Sequence, residues 1–135
     1  MNPLQLFDTY ERKVRIFEPL NAGQVGIYAC GPTVYNYAHI GNARPAVVFD
    51  LLARLLRRSY KLTFVRNITD VDDKINAIAK ESGEPIEKIT ERFVKAYNKD
   101  MAVLGVLPPD IEPRATQHIN DMIEMISNLI KKGFA

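Results

Sequence analysis

Residues 30–42 read Cys-Gly-Pro-Thr-Val-Tyr-Asn-Tyr-Ala-His-Ile-Gly-Asn. A short, apolar, β-prone run precedes them, Val25-Gly26-Ile27-Tyr28-Ala29, and a long leucine-rich run follows, Ala43 to Tyr60. Strand, glycine-containing polar loop and helix is the arrangement by which α/β folds hold phosphate. Backbone N–H groups and the positive end of the helix dipole converge there on one spot. His39 and Asn42 add two hydrogen-bond donors at the helix entrance. Gly41 between them lets a ligand approach the backbone without meeting a Cβ. The competing reading is plainer: His39 caps the helix and Asn42 fills a turn.

Working outward, the helix is expected over about 43–58. Its apolar residues (Val47, Val48, Leu51, Leu52, Leu55, Leu56) lie all round it, so it should pack on more than one side. Lys61 to Thr69 reads as a second strand, which makes a right-handed βαβ unit with a parallel sheet. Upstream, Leu4–Phe7 and Val14–Phe17 flank polar residues and predict a small hairpin. Downstream, Asp70-Val71-Asp72-Asp73 opens a helix over about 72–81. Carboxylates suit its positive end, although the three aspartates also invite a reading as a Mg²⁺ site. Pro85 suits the first turn of the next helix, which carries Ile86, Ile89, Phe93, Tyr97, Met101 and Leu104 on one stripe. After Pro108-Pro109, residues 110–115 are expected to be extended at a sheet edge or strand end, because Pro113 lacks a donor. Thr116 is the expected cap of a last helix with Ile119, Met122, Ile123, Ile126, Leu129 and Ile130 at helical spacing, and Gly133 its stop. The fold class is therefore α/β, a Rossmann-like parallel sheet with an N-terminal hairpin and flanking helices. The expected division is 1–20 hairpin, 21–82 βαβ unit and 83–135 helical segment.

Composition narrows the class. The chain has 135 residues, 47% hydrophobic and 25% charged, enough for one core and too polar for a membrane protein. No apolar run approaches the ~20 residues that cross a bilayer, so no membrane role is expected. Residues 1–8 show no secretory pattern. A net charge of +2 does not by itself point to nucleic acid. Cys30 is the only cysteine, which excludes an intrachain disulfide and fits a reducing compartment, most simply the cytosol. Lone cysteines are most often small buried hydrophobes, yet Cys30 sits where a strand ends at the crevice of an open sheet. Tyr35 and Tyr37 either line that crevice or pack beneath the loop.

The stretch Cys30–Asn42 resembles the His-Ile-Gly-His nucleotide-binding signature of class I aminoacyl-tRNA synthetases, in the form typical of cysteinyl-tRNA synthetases. The resemblance continues through Phe49-Asp50, residues 65–74 (Val-Arg-Asn-Ile-Thr-Asp-Val-Asp-Asp-Lys) and residues 112–118 (Glu-Pro-Arg-Ala-Thr-Gln-His), in the same order, and covers nearly the whole chain. It implies the first half of a class I catalytic domain, running toward the connective insertion. It implies activation of L-cysteine by ATP with Mg²⁺ and transfer to tRNA(Cys). By the resemblance, His39 and Asn42 are catalytic, and Pro32, Thr33, His39, Ile40, Gly41 and Asn42 meet ATP. Cys30, Gly31, Thr33 and Thr69 meet the substrate cysteine. Cys30 is also a zinc ligand, the other ligands lying beyond this chain. Asn42 departs from the generic signature by replacing its second histidine, which keeps a neutral donor and loses a titratable one.

The family's Lys-Met-Ser-Lys-Ser loop, remaining zinc ligands and anticodon-binding helices are not in these residues. The chain alone is thus expected to be an inactive piece that associates through an exposed sheet edge. A cysteine ligase of mycothiol synthesis on the same fold, or a non-catalytic nucleotide-binding paralogue, are the alternatives.

Overall fold

The computed structural model describes residues 3–135. Strands β1 (Gln5–Asp8) and β2 (Lys13–Ile16) pair antiparallel, Gln5 opposite Ile16 and Asp8 opposite Lys13. Their turn is built by Asp8, whose carboxylate accepts from the N–H groups of Tyr10 (2.9 Å) and Glu11 (3.1 Å). Those bonds, led by the one from Glu11, hold the Asp8 carboxyl below the usual aspartate range.

Strand β3 (Gln24–Ala29), helix α1 (Ile40–Leu56) and strand β4 (Lys61–Arg66) form the expected βαβ unit, with β3 and β4 parallel from Gln24–Lys61 to Ala29–Arg66. Helix α1 begins earlier than its apolar run suggests, because His39 is already its cap. It packs on one side only, contrary to expectation. The buried face is Ala43, Ala46, Asp50, Ala53 and Leu56, and its three alanines let the helix lie close to its neighbours. Val47, Val48, Leu51 and Leu55 face outward, Leu51 68% exposed.

Helix α2 (Asp73–Ser82) is capped by Asp72, which accepts from the Lys74 N–H at 2.9 Å. Helix α3 (Ile86–Val103) follows, with Pro85 at its cap position. Its stripe Ile89, Phe93, Tyr97 and Met101 is buried, while Leu104 lies beyond the helix and is exposed. Ile89, Phe93 and Val94 pack with Val34 and Ile68; Tyr97 and Met101 pack with Ala43, Ala46 and Val106. A third cluster, Ala29, Ala53 and Phe64, seals α1 to the sheet.

Residues 110–114 run parallel beside β4 and its continuation as an extended edge, one residue short of the expected 110–115 because Ala115 already begins a 3₁₀ turn. The Arg66 and Ile68 N–H groups donate to the carbonyls of Ile111 (3.1 Å) and Pro113 (2.8 Å), and the Ala115 N–H returns to Ile68 (3.0 Å). Asp110 clamps the start of this seam. It accepts from the Phe64 N–H at 2.7 Å and from Arg57 at 2.9 Å, bonds that hold its carboxyl below the usual range. Among the described residues, β3 has no partner on its other edge.

The last helix, α4 (Ile119–Lys131), follows a 3₁₀ turn over Ala115–His118. Thr116 lies inside that turn and does not cap α4. Its N–H and hydroxyl are both spent on the buried Asp70 carboxylate, at 2.9 and 2.6 Å. Gly133, at φ +73°, closes α4 as expected. No helix among the described residues is long and apolar enough to cross a membrane.

Candidate functional site

The crevice lies where β3 and β4 end. Gly31 follows the last strand pair so closely that a Cβ there would fall inside the Asn67 backbone carbonyl, so only glycine fits. Its N–H donates to Asn67 Oδ1 at 2.9 Å, and Asn67 Nδ2 donates to Thr69 Oγ1 at 3.3 Å. Beyond this crossing the sheet resumes. The Thr69 N–H donates to the Pro32 carbonyl (3.0 Å) and the Val34 N–H to the Thr69 carbonyl (3.1 Å), which sets Thr33 beside Thr69. The β4 strand itself stops at Arg66, short of the expected Thr69, because Gly31 takes a side-chain partner where a ladder bond would be. Cys30 is exposed, directly after β3.

The entrance of α1 is held by two crossed bonds. His39 Nδ1 accepts from the Gly41 N–H at 3.0 Å, and Asn42 Oδ1 accepts from the His39 N–H at 3.0 Å. A Cβ on Gly41 would stand 2.7 Å from the imidazole Cε1, so the glycine is needed first for the histidine's own ring. The simple reading of His39 as a helix cap is therefore true, and it leaves one polar atom of each side chain unused. An N–H can only donate, so Nδ1 is the bare ring nitrogen and the proton of the neutral ring sits on Nε2. By the same logic Asn42 keeps its NH₂ free. Pro45, one turn on, has no N–H for the Gly41 carbonyl. Ile40 is 83% exposed.

A cavity of about 90 Å³ opens between the strand ends and α1, walled by Cys30, Gly31, Pro32, Gly41, Asn42 and Arg66 among others. Five of the residues expected at the site thus line one cavity. Thr33 and Thr69 pair beside it, and His39 reaches it through Gly41.

Arg66 was visible only as part of a motif. It is 4% exposed, donates to Glu112 at 2.9 Å and lies 5.2 Å over the Tyr97 ring; its Nε has no partner among the described residues. Burial pushes the Tyr97 hydroxyl up. A charged residue in step with inward Phe64 and Ile68, two positions from each, was the signal available. The 112–118 motif acts at a distance from the crevice: Glu112 holds Arg66, Arg114 holds Glu91 at 2.9 Å, and Thr116 holds Asp70. The Arg114 bond is the main cause that lowers the Glu91 carboxyl.

Of the aspartates, Asp70 binds Thr116, Asp72 caps α2 and Asp73 stands in its first turn. Tyr35 lies under the Lys74 ammonium at 5.0 Å, and Tyr37 packs edge-on against Phe93 at 5.3 Å. Among the described residues no three His, Cys, Asp or Glu side chains come together as a metal site. Cys30 is one thiol with no companion ligand, so these residues by themselves do not fit zinc.

Residues 16–135 match the family described as tRNA synthetases class I (C) catalytic domain. The chain is 62% identical over 133 residues to the cysteine–tRNA ligase of Rhodospirillum rubrum, which covers 98% of this chain and 29% of that protein. It is 58% identical over 138 residues to the cysteine–tRNA ligase of Maricaulis maris, covering 100% and 30%, and 56% identical over 135 residues to that of Gluconobacter oxydans, covering 99% and 30%. The chain thus spans less than a third of the length of these curated relatives.

Proposed function

The chain belongs to the family of class I (C) tRNA synthetase catalytic domains, and from that premise we propose that it serves a ligase that activates L-cysteine with ATP and transfers it to tRNA(Cys). The observation that carries this reading is the crossed pair at the α1 entrance, which presents two neutral donors, His39 Nε2–H and the Asn42 NH₂, beside the open N-terminus of a 17-residue helix.

Adenylate formation suits such a site. The amino-acid carboxylate is already ionised and attacks the α-phosphorus of ATP as pyrophosphate leaves, so no base is needed. What remains is alignment of the two reactants and stabilisation of charge on the phosphoryl oxygens. In this proposal His39 and Asn42 donate to those oxygens without gaining or losing a proton, and Pro32, Thr33, Ile40 and Gly41 complete the ATP contacts, with Mg²⁺ accompanying the nucleotide. Cys30, Gly31, Thr33 and Thr69 receive the cysteine at the strand ends. Zinc belongs to the reading only with ligands from outside these residues; what it would supply is preference for a thiol over a hydroxyl. Residues 1–20, 21–82 and 83–135 would act as hairpin extension, nucleotide-binding unit and helical lead into the rest of the catalytic domain. A cytoplasmic setting and association through the free β3 edge complete the proposal.

Cysteine-dependent exchange of pyrophosphate into ATP by the full polypeptide tests it. Exchange with cysteine and not with serine is expected. Absence of exchange with cysteine, while ATP still binds, would overturn the ligase reading in favour of a nucleotide-binding module.

A further inference from the structure

We propose that Asn67 is the positioning residue that sets the cysteine subsite, acting through Gly31 on one strand and Thr69 on the other. The inference rests on the reading above of those two residues as substrate contacts. Gly31 and Asn67 are 36 positions apart, and one side-chain amide spans the gap between the two strand ends. Its orientation is forced. The Gly31 N–H is a donor, so Oδ1 must face it, at 2.9 Å, and Nδ2 must therefore face Thr69 Oγ1, at 3.3 Å.

Two consequences follow for the substrate. The Thr69 hydroxyl accepts from the amide, which leaves its own proton free to donate to an acceptor such as a carboxylate oxygen. The Gly31 N–H is consumed by Asn67, so the glycine offers the substrate its carbonyl rather than its donor. The lack of a Cβ is itself tied to the same residue, since the space is filled by the Asn67 backbone carbonyl. Asn67 thus fixes the separation of the strand ends and the polarity of the Thr69 hydroxyl together.

Asn67→Asp separates positioning from folding. The carboxylate still accepts from Gly31, so the strand ends stay joined, but it also accepts from Thr69 and takes the hydroxyl proton away from the substrate. Pyrophosphate exchange by the full polypeptide should show KM for cysteine raised about tenfold, the loss of roughly one hydrogen bond, with KM for ATP within about twofold. Thr69→Val should raise the cysteine KM likewise. Adding Asn67→Asp to Thr69→Val should then change it by less than about twofold, because the amide acts through that hydroxyl. Equal shifts for cysteine and ATP, or effects of the two substitutions that simply multiply, would overturn the positioning role and leave Asn67 a structural tie. An Asn67→Asp enzyme with unchanged cysteine KM would overturn it as well. Loss of exchange already in the unsubstituted protein would bring down the ligase reading, and this inference with it.

Discussion

Helices α3 and α4 carry nearly the same sequence signal and meet different fates. Each has an apolar residue every three or four positions. In α3 the stripe Ile89, Phe93, Tyr97 and Met101 is buried against α1 and the strand ends. In α4 none of Ile119, Met122, Ile123, Ile126, Leu129 or Ile130 is buried; they range from 38% exposed at Leu129 to 57% at Ile123. Helix α1 repeats the contrast within one element, with alanines inward and Val48 and Leu51 outward. Periodicity marks a face that would gain from being covered. Whether it is covered depends on the small residues and strand ends set opposite it, and α4 has none among the described residues.

Paired substitutions would break this comparison most directly. Phe93→Ala should lower the unfolding free energy by about 3–5 kcal/mol, the usual cost of a large buried aromatic. Ile126→Ala on α4 should change it by no more than about 0.5 kcal/mol. Urea denaturation of both variants is the check, and similar losses would show that α4 is covered after all. A second pair sharpens the contrast between crowded and open backbone. Gly31→Ala should cost about 1–3 kcal/mol, since its Cβ meets backbone that cannot swing aside. Gly26→Ala, inside β3 with nothing within 4 Å, should be neutral or slightly stabilising.

Acid gives the smallest effect and probes the seam that links β4 to residues 110–115. The Phe64 N–H, together with Arg57, lowers the Asp110 carboxyl in the folded chain. A lowered carboxyl stabilises the fold fully above its unfolded value, about 3.9, and that contribution is lost as pH falls through the lower folded value. Protection factors of the Phe64 and Arg66 amides should therefore fall on acidification below about pH 4, and Asp110→Asn should flatten that fall. Protection at these amides that is equally pH-dependent in the variant would remove Asp110 from the seam.

The legible parts of the molecule were local ones. Strand, loop and helix around residues 25–56 could be read because each signal lies within a few residues of what it shapes, as could the caps at Asp72 and Gly133. Helix α1 starts ahead of its apolar run because His39 caps it through a ring nitrogen, one of the two readings the sequence left open for that residue. Thr116 was misread because its partner, Asp70, is 46 positions away. The same separation hid Arg66–Glu112, and Asn67 gave no hint of Gly31. Bonds that cross between strand ends leave no periodic trace in a sequence.

The central claim is that His39 does two separable things, capping α1 through Nδ1 and donating to phosphate through Nε2. Aspartate and asparagine are both good helix caps, but only asparagine can donate. His39→Asp and His39→Asn should therefore unfold within about 0.5 kcal/mol of each other, with His39→Ala less stable by about 0.5–2 kcal/mol. In single-turnover adenylate formation by the full polypeptide, His39→Asn should stay within about tenfold of the unsubstituted rate. His39→Asp should fall by about 10²–10³-fold or more, despite its intact cap. Equal rates for the aspartate and asparagine variants would contradict the account and reduce His39 to a cap alone.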